Sequence, residues 1–87
     1  MFRASIGKIF RNLGRFQAMK IRWLENFVIV AEEKSISRAT HRLNTSQAAL
    51  SRVIREMEAI LRVELFQRTG RGMALTTEGK LLYDEAK

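Results

Sequence analysis

The chain has 87 residues, which bounds it to one domain. Hydrophobic residues make up 46% of it, enough for one small core, which excludes a disordered polar tail. The absence of Cys excludes a disulfide framework or a Cys-based zinc site and is compatible with the cytoplasm, where the chain is expected; the net charge of +7 points to a polyanion or an anionic membrane surface.

No apolar run approaches the roughly 20 residues that span a bilayer. Residues 1–18 form a basic amphipathic extension with Arg3, Lys8, Arg11 and Arg15 and no acid, a charge of +4. Phe2, Ile6, Ile9, Phe10, Leu13 and Phe16 follow helical spacing, while Gly7 and Gly14 weaken a helix there. Three readings stay open: an extension from an upstream start codon with Met19 as the functional start, a surface-lying membrane or targeting segment, or an arm that touches DNA or a partner. Residues 19–87 hold 12 basic and 9 acidic side chains, only +3, so any basic face in the body must come from placement.

The first helix is expected over Ile21–Glu33, where Trp23, Leu24, Phe27, Val28, Val30 and Ala31 recur at three- and four-residue steps. Trp23 and Phe27 read as core rather than as stacking platforms. Ser35 can cap a short second helix, Ile36–Leu43, in which Ala39 is small enough for a partner helix to approach. Asn44 suits a left-handed residue that ends it, and Thr45 or Ser46 caps the next helix. Two helices joined by three or four residues have the spacing of a helix-turn-helix.

The third helix is expected from about Gln47 to Leu61. At about 100° per residue, Ala49, Leu50, Val53, Ile54, Met57, Ile60 and Leu61 share one side. Gln47, Ala48, Ser51, Arg52, Arg55, Glu58 and Arg62 share the other. The early polar side is Gln, Ser and Arg; Glu56, Glu58 and Glu64 come later, so only the first two turns suit a polyanion. Val63–Arg68 and Met73–Thr76 read as two short strands around a Thr69-Gly70-Arg71-Gly72 turn, a small wing. Thr76 can cap a fourth helix that starts near Thr77 and carries Leu81, Leu82 and Ala86. The chain stops inside that helix, which is expected of a protein that continues or of a truncated copy.

The chemistry of the third helix points to duplex DNA. Gln pairs bidentately with adenine and Arg with guanine in the major groove. Ser51 lies one turn after Gln47, Ala48 leaves room for a thymine methyl, and Arg52 and Arg55 flank them. The helix N-terminus offers N–H groups to a phosphate. Arg71, between two glycines, suits a minor-groove or phosphate contact. Arg38 and Arg42 suit either the DNA backbone or plain solvation, and Arg68 either the DNA or an ion pair with Glu64 or Glu78. His41 reads as a surface residue; no HExxH, nucleophile elbow or phosphate loop is present, so no enzyme, cofactor or metal is expected.

Residues 19–83 resemble the N-terminal winged helix-turn-helix domain of LysR-type transcriptional regulators. The matching residues are the run Leu24–Glu33, Ser35–Ala39, Leu43, Ser46-Gln47 and Ala49–Arg52. They continue through Ile54, Met57-Glu58, Leu61, Val63–Phe66, Arg68-Thr69, Leu75-Thr76 and Gly79, with no gap. The resemblance implies a mainly α fold: a three-helix winged helix-turn-helix, a two-stranded β wing, and the start of a linker helix used for dimerisation. It divides the chain into the extension 1–18, the DNA-binding domain 19–76 and a linker-helix start at 77–87. It implies a bacterial regulator that binds operator DNA as a homo-oligomer paired through the helix from Thr77. Gln47, Ala48, Ser51, Arg52 and Arg71 take the contact positions, with Ser46, Arg55 and Arg38 as further candidates. The family's effector domain has no counterpart in this stretch.

Three departures stand out. Ala48 replaces a usual Pro in the first turn, where either is tolerated. Lys34 and Arg62 replace common glycines, and an Arg held at positive φ at position 62 would cost about 1 kcal/mol. Two rival functions are a dimerisation or decoy module that pairs with a full-length regulator, and membrane-surface association through residues 1–18.

Overall fold

The computed structural model describes residues 21–86, so the readings of residues 1–18 and of Met19 lie outside the described residues. Within them, α1 spans Ile21–Glu33, α2 Ile36–Leu43, α3 Gln47–Leu61, β1 Phe66–Thr69, β2 Gly72–Leu75 and α4 Thr77–Ala86. The architecture is the expected one: mainly helical, with a single two-stranded antiparallel wing.

Local chemistry explains the boundaries. Ser35 sits in extended backbone and its side chain accepts the Arg38 N–H, capping α2. Asn44 ends α2 at φ 54°, ψ 50°, the left-handed conformation that Asn tolerates. Ser46 rather than Thr45 caps α3, accepting the Ala49 N–H at 3.1 Å. Thr76 caps α4 by accepting the Gly79 N–H at 3.0 Å, while its own hydroxyl donates to the Glu64 carbonyl. Each cap satisfies donors that a helix start leaves free.

The core is built from one stripe of each helix. Phe27 and Val30 of α1, Ala39 of α2, and Leu50, Ile54, Met57 and Leu61 of α3 are buried, and Val63, Leu65, Phe66 and Leu82 close it. Ala39 is fully buried, the small side chain that allows α2 to pack closely. Phe27 and Phe66 meet with ring centroids 5.4 Å apart and planes tilted by 53°, which ties α1 to the wing. Trp23 is half-buried against the core, a packing role as expected.

Two details differ from expectation. The strand starts at Phe66, not at Val63. Val63 and Leu65 are drawn into the core; the Leu65 N–H is taken by the Glu58 carboxylate at 2.8 Å, which leaves only its carbonyl to pair across, with the Thr76 N–H at 3.0 Å. Ala49, grouped with the apolar side of α3, is exposed. It lies about 100° from Leu50 on the helix, enough to leave the buried stripe.

The wing has register Phe66↔Leu75 to Thr69↔Gly72, leaving Gly70 and Arg71 as the loop. Positive φ falls on Gly72, at 139°, rather than on the loop residues. A Cβ on Gly72 would lie 2.5 Å from the Lys34 carbonyl oxygen. That oxygen also accepts the Met73 N–H at 3.2 Å, so the end of α1 is the wing's docking point. Lys34 reaches this position at φ 55°, and Arg62 ends α3 at φ 58°. Both are the left-handed residues for which glycine is the unstrained choice, at a cost of about 1 kcal/mol each.

Candidate nucleic-acid interface

The first two turns of α3 present an exposed patch. Gln47, Ala48, Ala49, Arg52 and Arg55 are exposed and Ser51 is half-buried at its edge. The opposite side of the same turns holds Leu50 and Ile54 in the core, which fixes the rotation of the helix. Arg52 is 77% exposed, and its Nε lies 3.5 Å from Glu56, one turn later. That contact is an exposed i,i+4 pair, worth a few tenths of a kcal/mol at most and easily exchanged for another anion. Arg55 has no ion pair among the described residues.

The structure gives the other expected residues different surroundings. Ser46 uses its oxygen for the cap, so its hydroxyl holds the helix start in place. The Arg38 guanidinium turns back on α1: it donates to the Glu33 carbonyl oxygen at 2.7 Å and lies 3.7 Å from the Glu33 carboxylate. Arg42 donates to Glu32 at 3.0 Å and to Glu33 at 3.1 Å. Those two bonds, Glu32 first, hold its guanidinium pKa above the usual arginine value. Together Arg38 and Arg42 clamp α2 to the end of α1, a role that neither solvation nor DNA contact anticipated. Arg71 is exposed at the wing tip, where its backbone N–H donates to the Thr69 hydroxyl at 3.3 Å. Arg68 is exposed at the base of the wing.

Glu58 lies half-exposed on the polar side of α3, and the sequence does not reveal its bond: its carboxylate turns to the chain after α3 and takes the Leu65 N–H. The signal available was its position one turn before the left-handed Arg62, whose N–H bonds the Glu58 carbonyl. An acid there can satisfy a segment that has just left the helix.

The match to known proteins is consistent along the chain. A family model described as "Bacterial regulatory helix-turn-helix protein, lysR family" matches residues 21–80. Over 75 residues the chain is 43% identical to the HTH-type transcriptional regulator DgdR of Burkholderia cepacia, covering 86% of this chain and 25% of that regulator. Over 69 residues it is 44% identical to the transcriptional regulator ShiR of Corynebacterium glutamicum, covering 79% of this chain and 23% of that one. The chain thus spans about a quarter of the length of these curated relatives. Among solved structures, a CbnR DBD–DNA complex is 37% identical with a TM-score of 0.74 and is covered at 78% on both sides. A BenM DBD bound to catB site 1 DNA is 38% identical with a TM-score of 0.75, covering 78% of this chain and 76% of that one. The relatives are transcriptional regulators, not enzymes, and they favour DNA over the decoy and membrane-surface alternatives. No helix among the described residues is long and apolar enough to cross a membrane.

Proposed function

We propose a function from one premise: the chain belongs to the lysR family of bacterial regulatory helix-turn-helix proteins. It serves as the sequence-specific DNA-binding part of a LysR-type transcription regulator, working in the cytoplasm on operator DNA. The observation that carries this reading is the exposed start of α3, where Gln47, Ala48, Arg52 and Arg55 stand clear of the core. In the major groove Gln47 pairs with an adenine edge and Arg52 with a guanine, releasing Glu56. Ala48 and the neighbouring exposed Ala49 accept a thymine methyl. Ser51 and Arg55 hold phosphate oxygens, and Ser46 sets the helix start so that its N–H groups face a phosphate.

Arg71 at the wing tip takes the backbone or the minor groove beside the site. Arg38 stays bound to Glu33 and contributes only through the guanidinium N–H groups left over. The DNA-binding domain covers residues 19–76, and α4 begins the helix through which two copies pair. A pool of random duplexes incubated with the full chain tests this. Repeated selection is expected to enrich one motif of several base pairs, with binding that falls steeply as salt rises. Enrichment of no motif, with affinity equal for all duplexes, sinks the reading.

A further inference from the structure

We propose that Lys34 is a further DNA-backbone residue, whose ammonium takes a phosphate beside the point that Arg71 reaches. The contact rests on the reading of Arg71 and the wing as DNA-reaching, and it adds a cation from outside both the wing and α3. Its starting point is a strained backbone at the surface. Lys34 is held at φ 55°, where a side chain crowds the following carbonyl and glycine is unstrained. Lys34 is exposed, so burial in the core does not account for a side chain there. Strain kept at an exposed position points to a role for the side chain itself.

The backbone contacts of Lys34 say where that role lies. Its carbonyl oxygen accepts the Met73 N–H, and the same oxygen lies where a Cβ on Gly72 would clash. Lys34 is therefore pressed against the first two residues of β2, immediately beside Arg71. The hydrogen bond and the close approach at Gly72 hold the two segments in one register. Arg68 pairs with Met73 across the wing. Lys34, Arg68 and Arg71, all exposed, thus surround the same Gly72-Met73 segment. The acid next to Lys34 in the chain does not offset it, because Glu33 is engaged by Arg38 and Arg42. None of the ion pairs among the described residues engages Lys34. A lysine ammonium is a mobile point charge with three donors, which suits a phosphate oxygen. Such a contact adds affinity and fixes the wing on the duplex without reading sequence.

Binding of the full chain to the selected duplex and to a scrambled one, followed across a salt series, tests this. Lys34→Gln keeps a side chain at the strained position and removes the charge. It is expected to weaken binding to both duplexes by the same factor, about threefold to tenfold, and to flatten the salt slope by about one. Lys34→Arg is expected to keep the wild-type slope. Lys34→Gly is expected to melt no lower than wild type yet bind like Lys34→Gln, which separates the contact from the fold. Arg22→Gln makes an equal charge change at the far end of α1, about 18 Å away and beyond a Debye length, and is expected to leave the slope unchanged. A Lys34→Gln slope equal to that of wild type, or matched by Arg22→Gln, overturns the proposal. A loss confined to the selected duplex makes Lys34 a reader of bases and overturns it as well. A wild-type chain that binds both duplexes alike sinks the reading of α3 instead, and the Lys34→Gln slope on either duplex still decides this contact. A chain that binds neither duplex overturns both.

Discussion

The two halves of α3 are made of similar residues and hold them in opposite ways. In the first half, the polar side chains point away from the protein: Gln47, Arg52 and Arg55 are exposed, and the strongest local contact is the exchangeable Arg52–Glu56 pair. In the second half, one polar side chain turns back on the protein and the helix ends on a left-handed residue. Glu58 holds the Leu65 N–H, and Arg62 gives up helical geometry so that Val63 and Leu65 can enter the core. The difference teaches that helix periodicity alone does not separate a free polar face from a structural one. What separates them is whether the chain beyond the helix needs that side chain.

This contrast can be broken from the structural side first. Gly79→Ala is expected to have the largest effect, because its Cβ would lie 2.1 Å from the Leu65 carbonyl oxygen in a buried position. Thermal or urea unfolding should register a loss of roughly 3 kcal/mol or more, since backbone must move. Glu58→Ala leaves the Leu65 N–H without its partner and should cost about 1–3 kcal/mol, with Glu58→Gln recovering part of it. A Glu58→Ala variant as stable as wild type would place Glu58 back among the surface residues.

A smaller effect of opposite sign sharpens the same point. Arg62→Gly relieves the left-handed strain at φ 58° and should raise stability by about 0.5–1 kcal/mol, partly offset by the freer unfolded chain. Smallest of all is the stability change of Arg52→Ala, which should stay within about 0.5 kcal/mol because the pair it breaks is exposed. A large loss there would mean that the start of α3 is structural too.

Much of this frame was legible in the sequence. The caps at Ser35 and Thr76, the left-handed Asn44, the small Ala39 and the apolar stripe from Leu50 to Leu61 all depend on neighbours close in the chain. Such local chemistry can be read in order. What escaped was set by contacts that cross from one element to another. The strand begins only at Phe66 because the Leu65 N–H is claimed by Glu58, and the tolerance of Lys34 for positive φ is tied to the Met73 N–H that its carbonyl receives. Arg38 and Arg42 were ambiguous for the same reason, since their partners Glu32 and Glu33 belong to the preceding helix. For the interface, residue types and order were visible from the start; the exposure of Ala49 and the inward turn of Glu58 were not.

The central claim is that the first two turns of α3 read base edges. Its most direct test is the affinity ratio between the duplex selected by the wild-type chain and a scrambled duplex, measured for wild type, Gln47→Ala and Arg52→Ala at one salt concentration. Each substitution is expected to reduce discrimination by about 1–3 kcal/mol, at the base that its side chain pairs, while the fold stays intact. Both variants discriminating as well as wild type would contradict the account.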